Sequence, residues 1–168
     1  MVDWVFPVSS TPAPSIPLVS FHPGDELEKI AFKSFSGYWA VLADTTNGLA
    51  ETLFLFESGR LIGCAYEQLP SREQRWGEAA LAEGLQSLAA THGVVDVVSL
   101  SLPQVELIPA FYSGIRLAST RAPKDLTKQI PTKYAMDGFP APGRGSSPGE
   151  LSRFELFSKR GLAQLHRD

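Results

Sequence analysis

The sequence predicts an α+β fold: an antiparallel meander of three strands plus a fourth strand reached through a helix, with the helices packed on one face. Three observations carry this. The segments "GYWAVLA" from Gly37, "ETLFLFE" from Glu51 and "RLIGCAY" from Arg60 are aromatic, branched or leucine-rich, and "DTTNG" and "SG" between them are turn signals. Leu81, Leu85 and Leu88 recur at i, i+4 and i+7, the stripe of a helix that faces a sheet. "VVDVVSLSL" sets Val95, Val97, Ser99 and Ser101 against Asp96, Val98, Leu100 and Leu102, the alternation of a further strand.

Before about residue 23, Pro7, Pro12, Pro14 and Pro17 each remove an amide donor and push the preceding residue toward extended backbone, so residues 1–23 read as an extended arm. Trp4, Val5, Phe6, Ile16, Leu18, Val19 and Phe21 are too many apolar groups for a solvated linker, so the arm is expected along the domain surface. An α+β domain then occupies residues 24–137. "GDELEKIAFKSF" spaces Leu27, Ile30 and Ala31 helically after Asp25, which is read as the N-cap. In the second strand Leu53 and Leu55 point to one face while Phe54 and Phe56 point to the other, so the strand is central.

Ser71 precedes Gln74 by three residues in "SREQ", the capping-box spacing, and is read as the start of the next helix. Glu73 and Glu78 then lie near the positive end of the helix dipole, and Arg72 and Arg75 complete a solvated first turn. The charges from Arg72 to Glu78 are thus expected to be wet punctuation without chemistry. Gly84, beside the leucine stripe, costs about 1 kcal/mol of helix propensity and implies a close backbone approach to the sheet. Gly93 is expected to terminate that helix. "PQVELIPAFY" reads as a short helix with Pro103 in its first turn and Pro109 bending or ending it. Residues 113–137 show no strong period. "GFPAPGRGSSPG" makes residues 138–149 a linker by composition. Residues 150–168 read as an amphipathic helix with Leu151, Phe154 and Phe157 on one face, then Gly161, Leu162 and Leu165.

The whole chain has 168 residues, 43% of them hydrophobic and 20% charged, with a formal charge of -3. A chain of this length buries about 68–70% of its unfolded surface without crosslinks, and the charge gives no general attraction to nucleic acid or anionic membrane. The single Cys64 excludes an intrachain disulfide framework and fits a reducing compartment. Neither a basic signal-peptide n-region nor a membrane-length apolar run is present, so the expectation is a cytoplasmic protein without a membrane partner.

Catalytic constellations fail in turn, so the chain is expected to be no enzyme and to need no cofactor or metal. "GSSPG" from Gly145 matches the serine elbow, but Pro148 after Ser147 has no amide hydrogen for an oxyanion hole. Cys64 sits among apolar neighbours that raise a thiol pKa, and reads as a core thiol. His22, His92 and His166 never approach metal-ligand spacing. Glu51, Glu57, Glu67 and Glu73 carry no spacing that favours any pair.

"LFLFESGRLIGCAYE" followed by "WGEAAL" resembles the PATAN-type domain, a small prokaryotic regulatory module, at Phe56, Glu57, Gly59, Leu61, Ala65, Gly77, Glu78, Ala79 and Leu81. "FSGYW", Phe35 to Trp39, is similar to the version found in uncharacterised archaeal proteins related to that module. The resemblance covers roughly residues 35–107. It implies an α+β domain of signalling and regulatory proteins whose role is interaction.

The expected function is therefore a non-enzymatic protein-interaction or adaptor module, docking a partner protein through Phe154, Phe157, Leu162 and Leu165. The alternative is an accessory factor of a ribonucleoprotein complex that uses arm and tail, since the tail from Arg144 carries five basic residues against three acidic ones. A homodimer stays open.

Overall fold

The computed structural model describes residues 6–7 and 13–131. The linker expected at 138–149 and the helix expected at 150–168 lie outside them. Among the described residues seven strands form one antiparallel sheet, ordered β1 (Ile16–Pro17), β6 (Gly93–Ser99), β2 (Gly37–Thr45), β3 (Gly48–Glu57), β4 (Arg60–Gln68) and β5 (Glu73–Trp76), with β7 (Arg116–Arg121) also beside β4. The meander is β2 (Gly37–Thr45), β3 (Gly48–Glu57) and β4 (Arg60–Gln68). Thr45 pairs with Gly48 across a two-residue loop, and the Thr45 hydroxyl donates to Gly48 O at 2.6 Å. The second hairpin closes over Ser58 and Gly59, whose φ values of 48° and 83° are the left-handed pair that matches strand twist. β3 lies between β2 and β4, the central position that its doubly apolar pattern predicts.

A register shift opposite Leu55 and Phe56 marks a bulge in β4. On either side of it Leu61 and Cys64 face one core while Ile62 and Ala65 face the other. The sheet therefore carries two cores. On one face Trp39, Val41, Phe54, Phe56 and Cys64 meet helices α1 (Pro23–Lys33), α2 (Glu78–Ser87) and α4 (Pro123–Thr127). On the other, Tyr38, Leu53, Leu55 and Ile62 meet Val105 and Ile108 of α3 (Leu102–Phe111). Three helices thus share a face as predicted, and α3 takes the opposite one because β2, β3 and β4 are apolar on both sides.

The leucine stripe is buried: Leu81, Leu85 and Leu88 are 6%, 5% and 4% exposed. Burial of each contributes about 1.5–3 kcal/mol, which outweighs the glycine beside them. A Cβ built on Gly84 would lie 2.8 Å from Thr52 Cγ2 and 3.2 Å from both Cys64 Sγ and Phe54 Cζ, so the close approach is real. Next to it the Thr52 and Ser87 hydroxyls share a buried hydrogen bond of 3.0 Å, and Ser87 donates on to Gly84 O.

Three readings are corrected and one capping signal is added. Ser71 and Gln74 cap no helix: Glu73–Trp76 is β5, paired antiparallel with Ala65–Gln68 of β4. The open side of β4 needed a ladder partner, and this segment supplied it. Ser71 Oγ only accepts the Glu73 N–H within the turn, at 3.4 Å. Helix α2 instead opens after Gly77, at φ 58° and ψ −131°. Gly77 donates its N–H to Cys64 O, and any Cβ there would stand 2.7 Å from Arg116 O. Second, the S-x-x-Q signal that does work is Ser101 to Gln104, a capping box that opens α3; Gln104 Oε1 accepts the Ser101 N–H at 3.0 Å. Third, Asp25 lies in the first turn of α1, whose N-cap is His22 and whose first residue is Pro23. Fourth, Gly93 opens β6 (Gly93–Ser99) rather than ending α2, because a Cβ there would strike Leu42 O at 2.2 Å.

The arm contributes a two-residue β1 (Ile16–Pro17) on the outside of β6. Leu18 and Phe21 enter the core, and Phe6 packs against Tyr38 and Tyr112. The brevity of β1 follows from its prolines. Asp44 N–H bonds His92 O and Leu100 N–H bonds Ser36 O, so the even-numbered residues of β6 face β2 and the odd-numbered ones face outward. Continuing the Ile16–Val95 pairing would set Pro14 against Val97, where a donor is needed and proline has none. Residues 113–131, without a readable period, form a 3-10 turn (Ser113–Ile115), β7 (Arg116–Arg121) and α4. In β7 only Leu117 is buried, so no alternation announces the strand.

Candidate functional site

Cys64 is completely buried on the central part of β4. Burial pushes its thiol up, and the nearby Glu83 and Glu78 carboxylates add to the shift, so it is a core thiol far from thiolate chemistry. His22 and His92 are exposed and lie at the start of α1 and before β6. His166 and Ser147 lie outside the described residues. Among the described residues no three of His, Cys, Asp and Glu are grouped to hold a metal.

The fold does select one carboxylate pair that spacing left undecided. Glu51 and Glu67 stand directly opposite each other across β3 and β4, and Gln74 faces Glu67 from β5. Side-by-side carboxylates repel, and Arg72 stands 3.6 Å from Glu67 in answer. Glu67 is 6% exposed. Glu57 instead faces Arg60 across a hairpin end, and Glu73 lies on β5 opposite Gln68.

The Arg72–Glu78 cluster is corrected from idle punctuation to a set of crosslinks. Arg75 bridges Glu73, at 2.8 Å, to Glu83 on α2. Glu78, the first residue of α2, pairs with Arg121 at 3.1 Å and accepts the Ala118 N–H at 3.2 Å, so it ties the helix start to β7. These contacts are solvent-screened surface ion pairs that tie β5, α2 and β7 together.

The surface that sequence reasoning missed is the outer side of α3. Pro103, Leu107, Ala110 and Phe111 recur at i, i+4, i+7 and i+8 and are exposed, while Val105 and Ile108 point inward. Phe111 is 79% and Leu107 49% exposed, with Leu102 at 48%. The signal was present in "LPQVELIPAF", where only Gln104 and Glu106 are polar and apolar residues lie on opposite sides, the composition of a helix covered on both sides. Beside this helix Trp76 stacks on Tyr112 with centroids 5.9 Å apart, and Phe6 packs on the same Tyr112 at 5.3 Å. The expected docking residues Phe154, Phe157, Leu162 and Leu165 lie outside the described residues. No described helix is long and apolar enough to cross a membrane.

Comparison with curated proteins and with solved structures returns no match. A family described as "Uncharacterized protein conserved in archaea (DUF2226)" matches residues 17–112, from β1 through the last turn of α3. That span exceeds half of the chain and contains most of both cores with the exposed stripe, so the chain belongs to this archaeal-conserved family.

Proposed function

We propose that the chain is a non-enzymatic protein-interaction or regulatory module that docks a partner protein on the outer face of α3. The single observation that carries this reading is the stripe Pro103, Leu107, Ala110 and Phe111, apolar and open along a 10-residue helix. A large exposed aromatic beside an exposed leucine fits the anchor pattern of protein interfaces. The resemblance of residues 35–107 to the PATAN-type regulatory domain points the same way. Phe154, Phe157, Leu162 and Leu165 are proposed, from their sequence spacing, as a second apolar contact.

The test is affinity capture from native lysate with the full chain and with a Leu107→Glu/Phe111→Glu variant. A protein retained by the wild type and lost by the variant, at unchanged melting temperature, supports the reading. Equal retention by both overturns it. Retention of RNA instead, falling steeply as salt rises, favours the accessory role in a ribonucleoprotein complex.

A further inference from the structure

We propose that the aromatic seat formed by Tyr38 and Tyr112, with Trp76 stacked on Tyr112, is a binding site for an extended aromatic-proline segment of a partner protein, which the chain's own Phe6–Pro7 occupies until it is displaced. This goes beyond the α3 stripe and does not rest on it. The Phe6 ring lies 5.7 Å from Tyr38 and 5.3 Å from Tyr112, tilted by 49° and 51° to them. The Tyr38 hydroxyl donates to Pro7 O at 3.2 Å. Tyr112 in turn stacks on Trp76 with 13° between the rings, and Gly114 comes so near that a Cβ there would lie 3.4 Å from Trp76 Cβ. The seat is therefore held by the sheet and the end of α3, not by the arm.

The seated dipeptide defines the chemistry that the site takes. Tilted rings set edges against faces, which favours an aromatic side chain over an aliphatic one beyond the area buried. Proline after the aromatic pushes it toward extended backbone, and an extended proline segment makes no internal hydrogen bonds, so its carbonyl is available to the Tyr38 hydroxyl. Aromatic-lined surfaces take such segments because the fixed proline φ lowers the entropy lost on binding. An aromatic residue followed by proline on another protein can make the same ring contacts and the same hydrogen bond.

The arm is held in a way that allows exchange. Phe6 and Pro7 are half-buried, whereas Leu18 and Phe21, further along, are each 4% exposed. Ile16 and Pro17 pair with β6, so release of Phe6 leaves that ladder and both anchors in place. Val95, opposite Ile16, and Val98, opposite Tyr38, lie about 10 Å apart along β6, and β1 and β2 flank β6 about 10 Å apart. The chain from Pro7 to Ile16 reaches about 30 Å when extended, longer than the gap it bridges. As a tethered ligand the arm acts at about millimolar effective concentration, and the partner's segment must outcompete it.

The probe is a fluorescein-labelled peptide "WVFPVSS", the sequence of residues 4–10, followed by anisotropy against the full chain. The expected result is saturable binding to the Phe6→Ala chain and at least tenfold weaker binding to the wild type, whose own arm competes. In the Phe6→Ala background, Tyr112→Ala should weaken binding at least tenfold and the conservative Tyr38→Phe at least threefold, with circular dichroism unchanged. A peptide with alanine for both its phenylalanine and its proline should not bind. Leu107→Glu should leave binding intact; a loss in that variant, with Tyr38→Phe and Tyr112→Ala silent, would locate the peptide on α3 and overturn the present inference while sparing the proposed function. Equal binding to wild type and Phe6→Ala, or no binding to a folded Phe6→Ala chain, overturns it as well. So does a wild-type dimer that Phe6→Ala dissolves, because the seat would then hold the arm of a second copy.

Discussion

Replacing Gly84 by alanine gives opposite signs for an exposed helix and for a helix pressed on a sheet. In an exposed helix interior the change stabilises by about 1 kcal/mol, since alanine restricts the unfolded chain and glycine does not. Here the new methyl would stand 2.8 Å from Thr52 Cγ2 and 3.2 Å from Cys64 Sγ and Phe54 Cζ. Thr52 is the atom best able to turn away, but its hydroxyl holds Ser87 at 3.0 Å in a site where both residues are at most 1% exposed. Turning it breaks a buried hydrogen bond, which costs about 1–3 kcal/mol. The alternative, lifting α2, strains the packing of Leu81, Leu85 and Leu88 at about 1–3 kcal/mol. After the propensity gain of about 1 kcal/mol, the net effect is a destabilisation of up to about 2 kcal/mol. Urea unfolding followed by tryptophan fluorescence measures it. The double variant Gly84→Ala/Thr52→Ser removes the nearest methyl and should recover part of the loss, so the coupling between the two changes is favourable. A Gly84→Ala chain more stable than wild type by about 1 kcal/mol would refute the seating of α2 on β3 and β4.

Three further outcomes follow from the same geometry. Ser101→Ala should cost about 1 kcal/mol through the lost capping box of α3, whereas Ser71→Ala, in an exposed turn, should stay within about 0.5 kcal/mol; parallel thermal melts of the two variants compare them. Gly77→Ala forces a side chain into φ 58°, ψ −131° and against Arg116 O, and should lower stability by about 1–3 kcal/mol from backbone strain alone. In alkali, the buried Cys64 thiol and the Tyr38 phenol, pushed up by burial and then by Asp96, both have folded pKa values above their unfolded ones. Their stabilisation is therefore complete below the unfolded pKa and drains away as pH rises beyond it, first for the thiol above about 9 and then for the phenol above about 10. The thiol contributes a slope approaching about 1.4 kcal/mol per pH unit, and the phenol a slope of the same sign. Urea titrations from pH 8 to 11 should show the thiol portion vanish in Cys64→Ala, and an unchanged slope in that variant would contradict the burial of Cys64.

What the sequence disclosed was whatever rests on local period. The meander, the central place of β3, the leucine stripe of α2, the packed approach at Gly84 and the inert thiol all follow from alternation or helical spacing within a dozen residues. The misreadings arose where a partner distant in sequence decided the outcome. "SREQ" and "SLPQ" carry the same cap spacing, but the first lies where β4 lacks a neighbour, and ladder hydrogen bonds outweigh a cap. Gly93 reads as a helix stop until Leu42 O is placed against it. β7 has a single inward side chain, Leu117, so no local rule could find it. The Glu51–Glu67 neighbours became a pair only through the β3–β4 register. Likewise, the α3 stripe was visible as an excess of apolar residues, yet which of them would remain open depended on the face of the sheet that α3 took.

The most direct measurement uses the burial of Cys64 as a silent background. Ala110→Cys places one accessible thiol in the middle of the α3 stripe with little change of shape, while the native thiol stays buried and protonated. The rate of alkylation at this position, with and without the protein captured by the wild-type chain, reads the occupancy of the stripe. Docking on α3 predicts fast labelling of the free chain and at least tenfold protection when the partner is added. Labelling at the same rate in both cases, with the complex still formed, would contradict it.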